Sequence, residues 1–183
     1  VIEVAHRHGA VARCIWLDTP PAQAQRNVVE RLLDGDTDVI TPTSHMRTVR
    51  ELEPPSLDEG WDDVERVPFV REATGGIPAL FVAASAVTGA IARHGPCLVF
   101  DWNPDGSDEA LQRAASLVGG DVSTALCPHP AGPPRCWCRP PLPLLPLTFA
   151  RTHGVDLQRS TLVGCRPAHR ILADTLGAAY IEG

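Results

Sequence analysis

Apolar positions along the chain fall into short runs divided by polar, proline-bearing and glycine-bearing turns. Residues 11–17 (VARCIWL), 79–84 (ALFVAA) and 97–100 (CLVF) read as buried strands. Residues 64–70 (VERVPFV), 122–126, 161–163 and 179–181 read as further strands, the first demoted toward an edge by Pro68. Helical spacing appears between them. Residues 1–8 place Val1, Val4, Ala5 and His8 on one face, with Gly9 as a cap. Residues 22–33 form a helix that Asp18 or Thr19 can N-cap, with Pro20 and Pro21 in its first turn. Further helices are predicted over 43–52, 108–118, 142–153 (despite Pro143 and Pro146) and 168–176. Strands alternating with helices argue an α/β protein with a parallel sheet, and ligands at the carboxyl ends of strands. Residues 71–78, with Thr74, Gly75 and Gly76, form the expected linker between a unit over 1–72 and a unit over 78–183.

Composition narrows the chemistry. The 44% hydrophobic content supports a real core, and 18 Pro with 15 Gly imply long loops. The net charge of −6 argues against a generally basic surface that coats nucleic acid. All 16 basic residues are Arg. Without lysine there is no phosphate-cradling loop lysine and no Schiff base. No apolar run approaches the roughly 18 residues of a membrane span. Cysteine usage shows no disulfide framework and points to a reducing cytoplasm. The only Met is Met46, and the chain is expected to be the carboxy-terminal piece of a longer protein.

One segment carries metal chemistry. Cys127, His129, Cys136 and Cys138 are spaced C-x-H-x6-C-x-C across a loop rich in Pro and Gly. Such a loop has few apolar side chains to hold its shape. Three thiolates and an imidazole filling a tetrahedral zinc would fix it and leave no position for a substrate water. Free thiols, or a disulfide from Cys127, remain the alternative, and they leave His129 unexplained. Arg139 can brace a thiolate or a carbonyl, or lie on the surface. Trp137 can pack over the metal or into the core.

These residues carry a resemblance. The loop CPHPAGPPRCWCRPP, the stretch LPLTFARTHGVDLQRSTLVG and the ending ADTLGAAYI look like the histidinol-phosphatase and heptose-bisphosphate-phosphatase branch of the haloacid dehalogenase superfamily. The resemblance implies a three-layer Rossmannoid domain over 78–183 with a zinc loop. Active relatives hold phosphate and magnesium with aspartates, a Ser/Thr and a Lys. The matching positions here are altered. Ala83 and Ser85 stand where the nucleophile and general acid belong. Asp101 falls near the Ser/Thr position, Pro140 replaces the Lys, and Cys165 and His169 replace the magnesium carboxylates. Oxygen ligands suit magnesium and these do not. The resemblance therefore implies a scaffold without phosphatase turnover. A Cys165–His169 dyad oriented by Asp101 is conceivable at this strand-to-helix turn. The plainer expectation is a small buried Cys165 and a helix-surface His169.

Residues 1–71 resemble, more loosely, the carboxy-terminal half of the kinase domain of polynucleotide kinase–phosphatases. The matching stretches are AHRHGAVARCIWLDTPPAQAQRNVVER and LEPPSLDEGWDDVERVPF. The likeness implies that Asn27 and Arg31 lie on a lid helix facing nucleotide phosphates. Solvated helix charge is the alternative for Arg26, Arg31, Arg47 and Arg50. No G-x-x-x-x-G-K-[ST] loop is present, so ATP and Mg2+ would require an upstream phosphate loop in a missing amino-terminal kinase half. The expected parent is an ATP-dependent (poly)nucleotide kinase-like protein acting on a nucleic-acid end or a small phosphorylated molecule. Its second domain would bind substrate or brace the kinase. An active phosphatase with unusual residues, or a non-enzymatic interaction module, is the competing expectation.

Overall fold

The computed structural model describes residues 1–72, 75–91 and 95–183. Thr74 of the expected linker lies outside the described residues. The first 72 residues form α1 (Ile2–Arg7), β1 (Arg13–Asp18), α2 (Pro21–Leu33), α3 (Pro42–Glu51) and β2 (Asp63–Pro68). Both longer helices start on a proline, whose fixed φ and missing N–H suit the first turn. Thr41 caps α3 by accepting the Ser44 amide at 3.2 Å. β1 and β2 pair in parallel as a two-stranded sheet.

The expectation of a buried strand over 11–17 is corrected here. Exposure alternates along β1, and Ile15 and Leu17 are 60% and 68% exposed. An apolar run fits a fully covered strand, but among the described residues no layer lies over this face. The other face is half covered, with the Arg66 guanidinium 5.4 Å over Trp16.

The second unit comprises β3 (Leu80–Ala83), β4 (Cys97–Trp102), α4 (Glu109–Val118), β5 (Ser123–Cys127), α5 (Leu144–His153), β6 (Thr161–Gly164), α6 (Pro167–Leu176) and β7 (Ala179–Glu182). Its strands form one parallel sheet in the order β5-β4-β3-β6-β7. This is an α/β, Rossmann-like arrangement. Right-handed crossovers put α4 on one face of the sheet and α5 and α6 on the other. α2 lies against both α5 and α6.

The helix expected from residue 142 starts at Leu144. Pro143 occupies the cap position, and the Leu142 amide instead closes a turn onto the Arg139 carbonyl at 2.9 Å. α5 and α6 both end on glycines in the left-handed region, Gly154 and Gly177. Gly76 is tightly constrained: a Cβ there would sit 2.4 Å from the Gly154 carbonyl oxygen. This close approach lets Ile77 bridge to Val155 beside β3.

The core lies on the sheet. Phe81, Val82, Leu98, Val99, Phe100, Leu162, Leu172 and Leu176 are fully or almost fully buried. Phe81 meets Phe149 of α5 edge to face, with ring centroids 5.9 Å apart. Val29 of α2 joins this cluster, so the first segment shares the core of the second. Arg26, one turn earlier on α2, is buried as well. It pairs with Glu30 at 2.7 Å and donates to the Leu176 carbonyl at 3.2 Å.

Candidate metal centre and strand-end pocket

Cys127 ends β5, where ladder pairing opposite Trp102 fixes its backbone. The chain then leaves the sheet and returns at Cys136 and Cys138. Cys127 Sγ lies 3.6 Å from His129 Nδ1 and 3.6 Å from Cys136 Sγ. Cys138 Sγ lies 3.2 Å from Cys127 Sγ and 3.3 Å from His129 Nδ1. All four donors fall within 4.8 Å of one another, and the cysteines are unbridged. A tetrahedral zinc site has S···S edges of about 3.8 Å and S···N edges of about 3.5 Å, given bonds of about 2.3 and 2.0–2.1 Å. The donors fit a metal ion of that kind with only a small expansion.

The surrounding residues hold the ligands in place. Trp102 Nε1 donates to the His129 carbonyl at 2.8 Å. Arg139 donates to the carbonyls of Pro130 and Gly132 at 3.2 and 2.6 Å, and its guanidinium lies 5.1 Å over Trp102. Arg139 is therefore a strut across the loop. Burial, and then the hydrogen bond with Cys127, raises the Cys138 thiol well above its ordinary value. Burial also raises Cys127. At Cys136 burial acts in the same direction, but hydrogen bonds from Cys138 and from the Cys138 and Arg139 amides outweigh it and lower the thiol. Two buried thiols that resist ionisation are a site that a dication would complete, since it stabilises thiolates.

Trp137, between two ligands, faces the first segment. It is buried, donates from Nε1 to the Ile40 carbonyl at 3.2 Å, and meets His45 of α3 edge to face at 5.7 Å. Thr43 Oγ1 donates to the Pro134 carbonyl at 2.8 Å. The loop thus supports α3. Sequence reasoning left Thr43 and His45 unnoticed, because contacts this distant in sequence leave no local pattern.

A second feature sits at the carboxyl ends of the strands. Adjacent β3 and β6 begin connections that leave in opposite directions, the place where doubly wound sheets carry ligands. Ala83 is buried there, and Ser85 follows in a short 3-10 turn. Cys165 Sγ lies 3.3 Å from Ser85 Oγ and donates to the Ser85 carbonyl at 3.3 Å. His169 Nδ1 instead accepts the Cys165 amide at 3.2 Å. The Cys165 thiol and the imidazole are thus engaged separately, and Asp101 accepts from the Trp102 amide at 2.8 Å. The expectation of a helix-surface His169 is corrected. It is buried, lies edge to face with Phe100, and fits above Gly164, where no side chain could stand. Burial lowers its pKa, Arg166 adds to the drop, and Asp101 opposes it. Asp101, Arg139, Pro140, Arg166 and His169 line a pocket of about 320 Å3.

On α2, Asn27 Oδ1 accepts from Arg71, and Arg31 pairs with Asp36. Arg47 pairs with Glu51 at 2.9 Å. Among the described residues no helix is long and apolar enough to cross a membrane. No protein-family model, curated protein or solved structure matches the chain.

Proposed function

We propose that residues 78–183 are a haloacid-dehalogenase-like domain that has lost phosphatase chemistry and braces the preceding segment through a zinc-filled loop. The observation carrying this reading is the contrast between two sites. At the β3–β6 crevice stand Ala83, Ser85 and Cys165, with no carboxylate to attack phosphorus and no lysine to hold it. The four-ligand cluster, by contrast, is complete and supports α3 through Trp137 and Pro134. Asp101, on β4, shares its pocket with Arg139 and Arg166, so it meets guanidinium groups rather than a magnesium ion.

The first segment, in this reading, is the carboxy-terminal part of an ATP-dependent (poly)nucleotide kinase-like module. A two-stranded parallel sheet with Ile15 and Leu17 bare is what such a module would present without its other strands, because parallel sheets are normally covered on both faces. Arg31, 60% exposed, retains the reach of a lid residue. Asn27 is committed to Arg71. ATP and Mg2+ would enter through a phosphate loop elsewhere in the parent protein. The acceptor would be a nucleic-acid end or a small phosphorylated molecule.

The test is turnover of p-nitrophenyl phosphate with Mg2+ by the purified chain, alongside elemental analysis. The expected result is about one zinc per chain and no hydrolysis above buffer. Hydrolysis that disappears in Asp101→Asn would establish an active phosphatase and overturn the reading.

A further inference from the structure

A cleft of about 650 Å3 lies apart from both sites above. It opens between α2 and α5. One wall is apolar, from Leu33, Leu147, Ala150, Val155 and Leu157. The other carries charge: Arg26, Glu30 and Arg71, with Arg151 and Asp34 paired at the lip at 2.6 Å.

Inside the cleft, hydrogen bonding is unequal. Glu30 accepts from both Arg26 and Arg71, so two guanidiniums share one carboxylate. Arg71 spends its remaining groups on the Gln23 and Asn27 side chains. Arg26 is 5% exposed and uses Nε on Glu30 and Nη1 on the Leu176 carbonyl. Its Nη2 has no acceptor among the described residues. Asp156 and Glu72 border the far side of the two arginines, and neither forms an ion pair with them among the described residues. A guanidinium cannot shed its charge as a lysine can, and burial already acts against it here. A buried guanidinium with one spare donor beside a half-closed, apolar-walled cleft is suited to receive an anion. The volume lies in the range of small-molecule sites.

We propose that this cleft binds a small organic anion, with a carboxylate or phosphate head on Arg26 Nη2 and an apolar body against Leu33, Leu147 and Val155. The site is independent of the metal loop and of any kinase or phosphatase activity.

The probe is 8-anilinonaphthalene-1-sulfonate, an aromatic monoanion, titrated by fluorescence against the native chain. One bound probe per chain is expected. Leu33→Glu, at a half-exposed position that leaves the arginine network intact, should weaken binding at least about tenfold by placing a like charge beside the head. Arg151→Glu, at an exposed lip pair that contributes little to stability, supplies a second variant and should weaken binding several-fold. Circular dichroism and thermal melting of both variants should match the parent. Benzoate displacing the probe assigns a carboxylate head, and phenyl phosphate displacing it assigns a phosphate. Failure of both competitors, or undiminished probe affinity in the folded variants, overturns the proposal.

Discussion

Stripping the metal from the Cys127, His129, Cys136 and Cys138 cluster should melt residues 128–136 and loosen α3, while the parallel sheet stays folded. None of the residues 128–136 is buried. They gain little from the hydrophobic effect, and ordering their backbone costs roughly 1–2 kcal/mol each. That is about 9–18 kcal/mol for the segment, toward the lower end because its prolines are already restricted in φ. A structural zinc supplies roughly 10–16 kcal/mol in small metal-held peptides at neutral pH. The two figures nearly cancel, so without the ion only the hydrogen bonds from Trp102, Arg139 and Thr43 are left to hold the segment. The sheet rests on Phe81, Val99, Leu162 and their buried neighbours, whose burial does not depend on an ion. Hydrogen exchange read by mass spectrometry, with and without a strong chelator at pH 7.5, separates these regions. Peptides covering 128–136 and α3 should lose protection, and peptides covering β3, β4 and β6 should keep it. Unchanged exchange in the loop would refute the claim that a metal orders it. Melting of the whole sheet would refute the claim that its role is local.

Three further outcomes follow from the geometry. Gly164→Ala would put a methyl group 2.4 Å from His169 Cβ, so chemical denaturation should show a loss of about 1–3 kcal/mol, and an unchanged midpoint would contradict the packing described. Arg26→Ala strands the Leu176 carbonyl while leaving Arg71 on Glu30; a loss of about 2–3 kcal/mol is expected, with proteolysis entering α2 first. The pKa of His169 is depressed in the fold by burial and by Arg166, so the unfolded chain takes up the proton first. Stability is then full above about pH 6.5 and falls as the pH drops toward the folded value. Urea midpoints at pH 7.5 and 5.5 should therefore separate the parent from His169→Gln, and parallel pH profiles would contradict the buried, neutral imidazole.

Much of the second unit was legible in local pattern. Pro167 at the start of α6 and Gly154 and Gly177 past the ends of α5 and α6 punctuate it chemically, and element bounds agree to within about two residues. The ligand cluster was legible too, because the x-spacings of Cys127, His129, Cys136 and Cys138 already set which donors can meet. What escaped depends on layers rather than periods. The run at 11–17 is apolar whether or not something covers it, and here Ile15 and Leu17 lie bare. His169 reads as a polar helix residue, and only Phe100 and Gly164, brought in by other strands, bury it. Arg26 is the instructive case. It shares an i, i+3, i+7 stripe with Val29 and Leu33, a signal that a charge was headed inward, yet the carbonyl it reaches lies 150 residues away.

That hydrogen bond has a consequence for synthesis. Helix α2 rests on the end of α6, a segment made 150 residues later. At about 5–20 residues per second, the intervening 150 residues take roughly 8–30 s. Through that interval Arg26 has no carbonyl, and α2 lacks the α6 side of its dock. Nascent chains paused before residue 176 should accordingly be the form of this protein that chaperones retain longest.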